Sequence, residues 1–191
     1  MLSPYDATWP DAAAARLADL RRVLGRIDPA TAFDHIGSTS VPGLTAKPII
    51  DLQVRMHRLP EAATLDPLLL EVGFHPHAGS RPDSPGVHRD HPRGSRQVPD
   101  EVWEKRLFTA EDPDTVLHVR RSDSPWGSYT VKFRDWLRAH PDQATRYAEV
   151  KRSLAQEHET DPDFDDYTRA KTAYFDDVQP LFERWARQRR Q

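Results

Sequence analysis

From Pro10 to about Gly25 apolar residues return at helical spacing. Leu17, Leu20 and Leu24 share a side, Asp11 lies near the start, and Gly25 offers a stop. The period then drops to two. Thr31 to Ile36 predicts a short strand, and Pro48 to Met56 a clearer one. In the latter, Ile50, Leu52, Val54 and Met56 point to one face, while Ile49, Asp51, Gln53 and Arg55 point to the other. Pro60 to Val72 predicts a helix ended by Gly73. Residues 75–99 carry little periodicity and much Pro, Gly, His and Arg, and predict a long mobile loop. Alternation resumes at Lys105–Thr109 and Thr115–Arg121, with Glu111-Asp112-Pro113-Asp114 as the turn between them.

From Gly127 onward the pattern is helical. One helix holds Phe133, Trp136 and Leu137, and Pro141 opens a second holding Tyr147, Val150 and Leu154. A third is expected from near Pro162 toward Arg187, kinked or split at Pro180. A strand-rich first half followed by a helical last third predicts an α+β fold, a mixed sheet packed against helices, in one domain over residues 1–191.

Composition narrows the classes of function. Charged residues make up 30% of the 191 and mean hydropathy is -0.76, so the fold must use its apolar clusters economically. They still suffice for a globular core. A net charge of -3 gives no basic excess pointing to nucleic acid. The absence of cysteine removes disulfides, thiolate zinc sites and a Cys nucleophile together. No apolar run approaches the ~20 residues of a membrane span, and Met1–Asp6 lacks the basic-then-apolar order of a signal peptide. The expectation is a cytoplasmic protein with no membrane partner; oligomeric state stays open.

Candidate chemistry concentrates in His35–Val54. Backbone N–H groups of a turn containing Gly37, with the Ser38 and Thr39 hydroxyls beside them, make a plausible phosphate cradle. Twelve residues separate Ser38 from Asp51, which projects from the strand face opposite the apolar one. An acid there could hold a divalent cation, Mg²⁺ by hypothesis, against phosphate oxygens, or could be an exposed strand acid. Lys47, just before the strand, could neutralise a phosphate or be a solvated edge lysine. Gln53, on the same face as Asp51, is neutral where nucleotide-transfer chemistry would want a second carboxylate.

The run His35–Val54 resembles the signature of the GrpB family, of the nucleotidyltransferase fold superfamily. The similarity begins at Tyr5-Asp6 with Trp9-Pro10, passes through Leu117-His118-Val119 and Phe133–Pro141, and reaches Tyr147 with Lys151 and Tyr167 with Lys171. The resemblance implies a nucleotidyltransferase-like sheet flanked by helices. It leaves the reaction open, since the family's activity is poorly defined; some members are fused to dephospho-CoA kinase. The superfamily pattern sets a Gly-Ser turn before an acid-x-acid pair, with a third acid on a later strand, to hold two metals. Asp51 fits the first acid, Gln53 does not fit the second, and His118 stands on the later strand.

His118 could ligate a metal or carry a proton, or could be a hydrogen-bonded histidine on a half-buried strand. Phe164, Tyr167, Lys171, Tyr174, Val178, Leu181 and Trp185 form a helical stripe that Lys171 interrupts. Lys151 and Lys171 could snorkel outward or point into a cleft toward an anion. Arg134 could join them or pair with Asp135 on the surface. The spacing of His75, His77, His88 and His91 matches no recognised zinc pattern, and Arg81, Arg89, Arg93 and Arg96 could form a cationic lid or a solvated loop. Two readings follow. One is a nucleotidyltransferase-like cleft taking a nucleotide or other phosphorylated ligand, with Mg²⁺-dependent nucleotidyl transfer. The other is a non-catalytic nucleotide-binding or regulatory module without the carboxylate pair.

Overall fold

The structure, a computed structural model, describes residues 2–84, 86–92, 97–163 and 165–189. Helix α1 (Trp9–Leu24) leads into strand β1 (Ala32–Ile36), a 3-10 turn at Ser38–Ser40, and strand β2 (Ile50–Met56). Helix α2 (Ala62–Leu70), the two-residue strand β3 (His75–Pro76), and strands β4 (Lys105–Ala110) and β5 (Thr115–Arg121) complete the sheet. Helices α3 (Pro125–Ala139), α4 (Pro141–Glu157) and α5 (Asp165–Gln188) follow. The strand order is β1-β2-β5-β4-β3. Among the described strands the β2–β5 pair is parallel and its neighbours run antiparallel. This is the α+β architecture expected, with a mixed sheet and a helical final third.

The sheet has a dry face and a wet face, and alternation in β2 creates both. Ile50, Leu52, Val54 and Met56, with Leu117, Val119 and Phe108, bury against Leu17, Leu20 and Leu24 of α1 and Leu65 and Leu69 of α2. The opposite face carries Asp51, Gln53 and Arg55 on β2. Register places His118 of β5 beside Gln53 and Lys105 of β4 beside Arg120 of β5. That face meets the C-terminal helices, whose own core holds Tyr129, Trp136, Tyr147, Tyr174, Val178 and Phe182.

Three expectations change. The segment after β3 is docked as well as irregular: Val87 and Asp90 are buried, Arg89 bridges to Glu104, and Asp90 N–H donates to the Trp103 carbonyl at 2.8 Å. Helix α5 runs through Pro180 without splitting, because Val178 and Phe182 on either side are buried in the aromatic core. Its buried stripe turns to Phe182 and leaves Leu181 exposed, as the 3.6-residue period requires after Val178. Phe164, the first residue of the expected stripe, lies outside the described residues.

Candidate ligand-binding site

Gly37 holds φ at +70°, a conformation that L side chains rarely adopt. Space forbids a side chain there as well. A Cβ on Gly37 would lie 2.7 Å from Asp51 Cβ and Cγ, so the turn packs directly on the acid. The turn is closed by Ser40 Oγ donating to the Gly37 carbonyl, and Thr39 Oγ1 meets His35 Nε2 at 3.0 Å. Ser38 remains at the rim of a cavity of about 190 Å³, with Asp51 and Val116 contributed by the sheet. Lys47, Tyr147 and Lys151 of the loop and α4, and Tyr167, Thr168 and Lys171 of α5, close the cavity.

This cavity sets three lysines around one carboxylate. Lys151 is buried, donates to the Thr45 carbonyl and lies over the Tyr147 ring at 4.9 Å. Tyr167 is held between Lys47, 4.0 Å from its ring centre, and Lys171, at 4.7 Å. Asp51 makes no hydrogen bond or ion pair among the described residues; Lys171 and Lys151 act on it through space. Burial lifts the Asp51 carboxyl to about 6 against the pull of those cations. Burial, reinforced by Lys171, brings Lys151 down to about 7 and Lys47 to about 8. Burial also lowers Lys171, with Asp51 opposing. These groups are under-solvated and only partly neutralised, which is the condition a charged ligand relieves.

Gln53 sits two positions along the strand in a different environment. It is fully buried. Its Nε2 donates to the Gly127 carbonyl at 3.0 Å and to Asp34 at 3.3 Å. Its Oε1 accepts from Arg120 Nη1 at 2.9 Å and from Thr130 Oγ1 at 3.0 Å. Arg120 in turn grips Asp90 at 2.6 and 3.0 Å, and Lys105 Nζ stands 3.4 Å from Asp90. Lys105 and Arg120 are directly opposed across two strands, so Asp90 from the loop offsets a repulsion the register imposes. Arg120 and Lys105 hold the Asp90 carboxyl below its ordinary value despite burial.

The neighbouring His118 belongs to this network rather than to a metal site. Lys105 Nζ lies 3.0 Å from its Nδ1. Burial first, then Lys105 and Arg120, push the imidazole well below its usual range. It is therefore neutral, with Nδ1 accepting and the proton on Nε2.

Among the described residues no group of three His, Cys, Asp or Glu side chains could hold a metal ion. The Gln53 oxygen is committed to two donors, and lysines occupy the surroundings of Asp51. The residues do not fit a two-metal centre.

Sequence reasoning placed Gly37, Ser38, Lys47, Asp51, Lys151 and Lys171 in one site, and the structure brings them together. Thr39 is buried against His35, away from the cavity. Arg134 is also outside it: it donates to the His35 carbonyl at 2.9 Å and to Asp135 at 2.8 Å, tying α3 to the end of β1. Arg81 and Arg89 form no lid over this cavity; Arg81 pairs with Asp163, Asp165 and Asp166, and Arg89 with Asp100. Arg93 and Arg96 lie outside the described residues. Asp90 was missed, having no periodic signal around it. The sign that could have found its network is Arg120, which shares a half-buried strand face with His118 and needs an acid there.

Comparison with known proteins follows the same outline. The family model described as GrpB protein matches residues 1–180. UPF0157 protein BH1888 of Halalkalibacterium halodurans is 35% identical over 156 residues, covering 81% of this chain and 69% of that protein. A dephospho-CoA kinase of Mycolicibacterium paratuberculosis is 31% identical over 197 residues, covering 97% of this chain and 46% of the kinase. The chain thus spans less than half of that relative, and the kinase name describes the longer protein. Among solved structures, the conserved protein GrpB from Enterococcus faecalis superposes with a TM-score of 0.71 at 23% identity. That match covers 97% of this chain and 99% of the other, and establishes a common fold.

Proposed function

Because the chain belongs to the GrpB family, with its nucleotidyltransferase-like sheet, we propose that the Asp51 cavity binds a phosphorylated small molecule, of nucleotide class, through its lysines and without a metal pair. One observation carries this reading: Lys47, Lys151 and Lys171 face an unpartnered Asp51 across a single cavity. A phosphate between the lysines restores the solvation their burial removed, and its charge favours their protonated forms. Ser38 offers a hydroxyl to the same oxygens. Asp51 repels phosphate oxygens and accepts from a donor, so it selects a hydroxyl on the ligand. The lysines supply the positive charge that metal ions supply elsewhere.

Magnesium-assisted nucleotidyl transfer keeps one observation in its favour, the Gly37–Ser38 turn packed on a strand acid. A calorimetric titration separates the two. Tripolyphosphate and ATP are titrated into the protein in EDTA and again in Mg²⁺, then into Lys171→Met and Asp51→Asn. The lysine reading expects binding in EDTA, a loss of roughly tenfold or more in Lys171→Met, and retained binding in Asp51→Asn. Binding that appears only with Mg²⁺ and vanishes in Asp51→Asn would overturn it in favour of the metal-assisted reading.

A further inference from the structure

A second cavity, of about 340 Å³, lies beside the first on the same face of the sheet. The two share a wall, since Thr168 and Lys171 line both. Their character differs. The first is dominated by lysines and a carboxylate; the second adds apolar and aromatic surface from Trp126, Phe175 and Leu107 to a charged lining that includes Asp90, Lys105, Arg120 and Arg169, with His118 on its floor. Trp126 stacks on Tyr129 with ring planes 3° apart and centres 4.9 Å apart, and Phe175 stands edge-on to Phe133 at 5.3 Å. Each ring thus packs on an aromatic neighbour that limits its motion.

The offset between the cavities can be read from the sheet and from the helix. On β5, Val116 lines the first cavity and His118 the second, two residues and about 6.6 Å apart along a strand. On α5, Lys171 belongs to both and Phe175 to the second, one turn and about 6 Å further along the helix. Strand and helix agree on a single short offset, which one small molecule can bridge. The chemistry at the second position is equally specific. His118 gives Nδ1 to Lys105, which leaves its Nε2–H as a donor for a ring nitrogen or carbonyl.

We propose that this second cavity receives the flat heterocyclic part of the same ligand, stacked against Trp126 and Phe175 and hydrogen-bonded by His118, while its phosphates lie among the lysines next door. The inference rests on the phosphate reading of the Asp51 cavity and adds the other half of the ligand. A nucleotide has this bipartite form: charge at one end, a planar ring with edge acceptors at the other, and a hydroxylated sugar between them to meet Asp51.

The test compares tripolyphosphate with ATP, CTP, GTP and UTP by calorimetry on the wild type, Trp126→Ala and Thr172→Phe. The first variant removes a wall, and the second places a ring inside the cavity from α5. Melting curves establish that each is folded. At least one nucleotide is expected to bind roughly tenfold or more tightly than tripolyphosphate, as base stacking warrants. Each folded variant should lose that advantage while holding tripolyphosphate with unchanged affinity. If tripolyphosphate binds and no nucleotide exceeds it by more than about threefold, the heterocycle site is wrong and the phosphate reading stands. If neither tripolyphosphate nor any nucleotide binds, both fail. A nucleotide advantage that survives both variants places the ring elsewhere and overturns the inference.

Discussion

Around Gln53 and Arg120 every amide and guanidinium nitrogen has a partner; around Asp51, two positions along the same strand, the carboxylate makes no hydrogen bond or ion pair among the described residues and three lysines face the same cavity. Both halves sit on the same wet sheet face and draw on similar residue types. The difference lies in what the loops and helices bring to them. The loop delivers Asp90 onto Arg120 and Lys105, and α3 delivers the Gly127 carbonyl and Thr130 hydroxyl onto Gln53. Among the described residues nothing comparable reaches the Asp51 carboxylate. A polar face can therefore be half framework and half site, and partner satisfaction tells them apart better than residue type does.

The contrast breaks most visibly if its closed half is opened. Asp90→Ala leaves Arg120 and Lys105 buried and opposed, and is expected to cost about 3–5 kcal/mol, read as a shift in the urea midpoint. An unchanged midpoint would mean that this network contributes little. Gln53→Glu restores the acid-x-acid spacing, yet its new oxygen faces the Gly127 carbonyl and Asp34. A loss of about 1–3 kcal/mol is expected, with no Mg²⁺ binding gained by calorimetry, because Arg120 already neutralises that position. Tight Mg²⁺ binding in this variant would erase the distinction between the halves.

The open half is sharpened by pH. Lys151 at about 7 and Lys47 at about 8 hold their charge poorly, and a bound phosphate favours the charged forms. Binding should take up protons, and tripolyphosphate affinity should fall roughly tenfold from pH 7 to 9. A flat profile would place the phosphate away from these amines. A further effect concerns the ligand-free protein. Lys151 titrates near 7 when folded and at its ordinary 10.5 when unfolded, so between these values the unfolded chain binds the extra proton. Stability should rise with pH from 7 to 9, with a ceiling of about 1.4 kcal/mol per pH unit. Lys151→Met should flatten the part of that slope due to this residue, measured by denaturant melts at each pH.

What the sequence disclosed follows the same division. Ile50–Met56 alternates because one face must be dry, and that local rule announced both the core and the direction of Asp51. Lys151 and Lys171 betrayed themselves by interrupting apolar stripes. Arg134 misled because an arginine on an amphipathic helix has the same spacing whether it meets a ligand or, as here, the His35 carbonyl. Asp90 was illegible: its partners are 15 and 30 positions away in the chain, and only tertiary packing joins them. Pro180 carries a strong local signal that the burial of Val178 and Phe182 overrides.

The packing of Gly37 against Asp51 has a consequence for how this protein can change. With Asp51 Cβ and Cγ 2.7 Å from where a Cβ on Gly37 would stand, the glycine cannot gain a side chain unless the acid yields. The two form one heritable unit, 14 positions apart in the chain. The glycine could be replaced only by crossing a fitness valley or by rebuilding the whole turn.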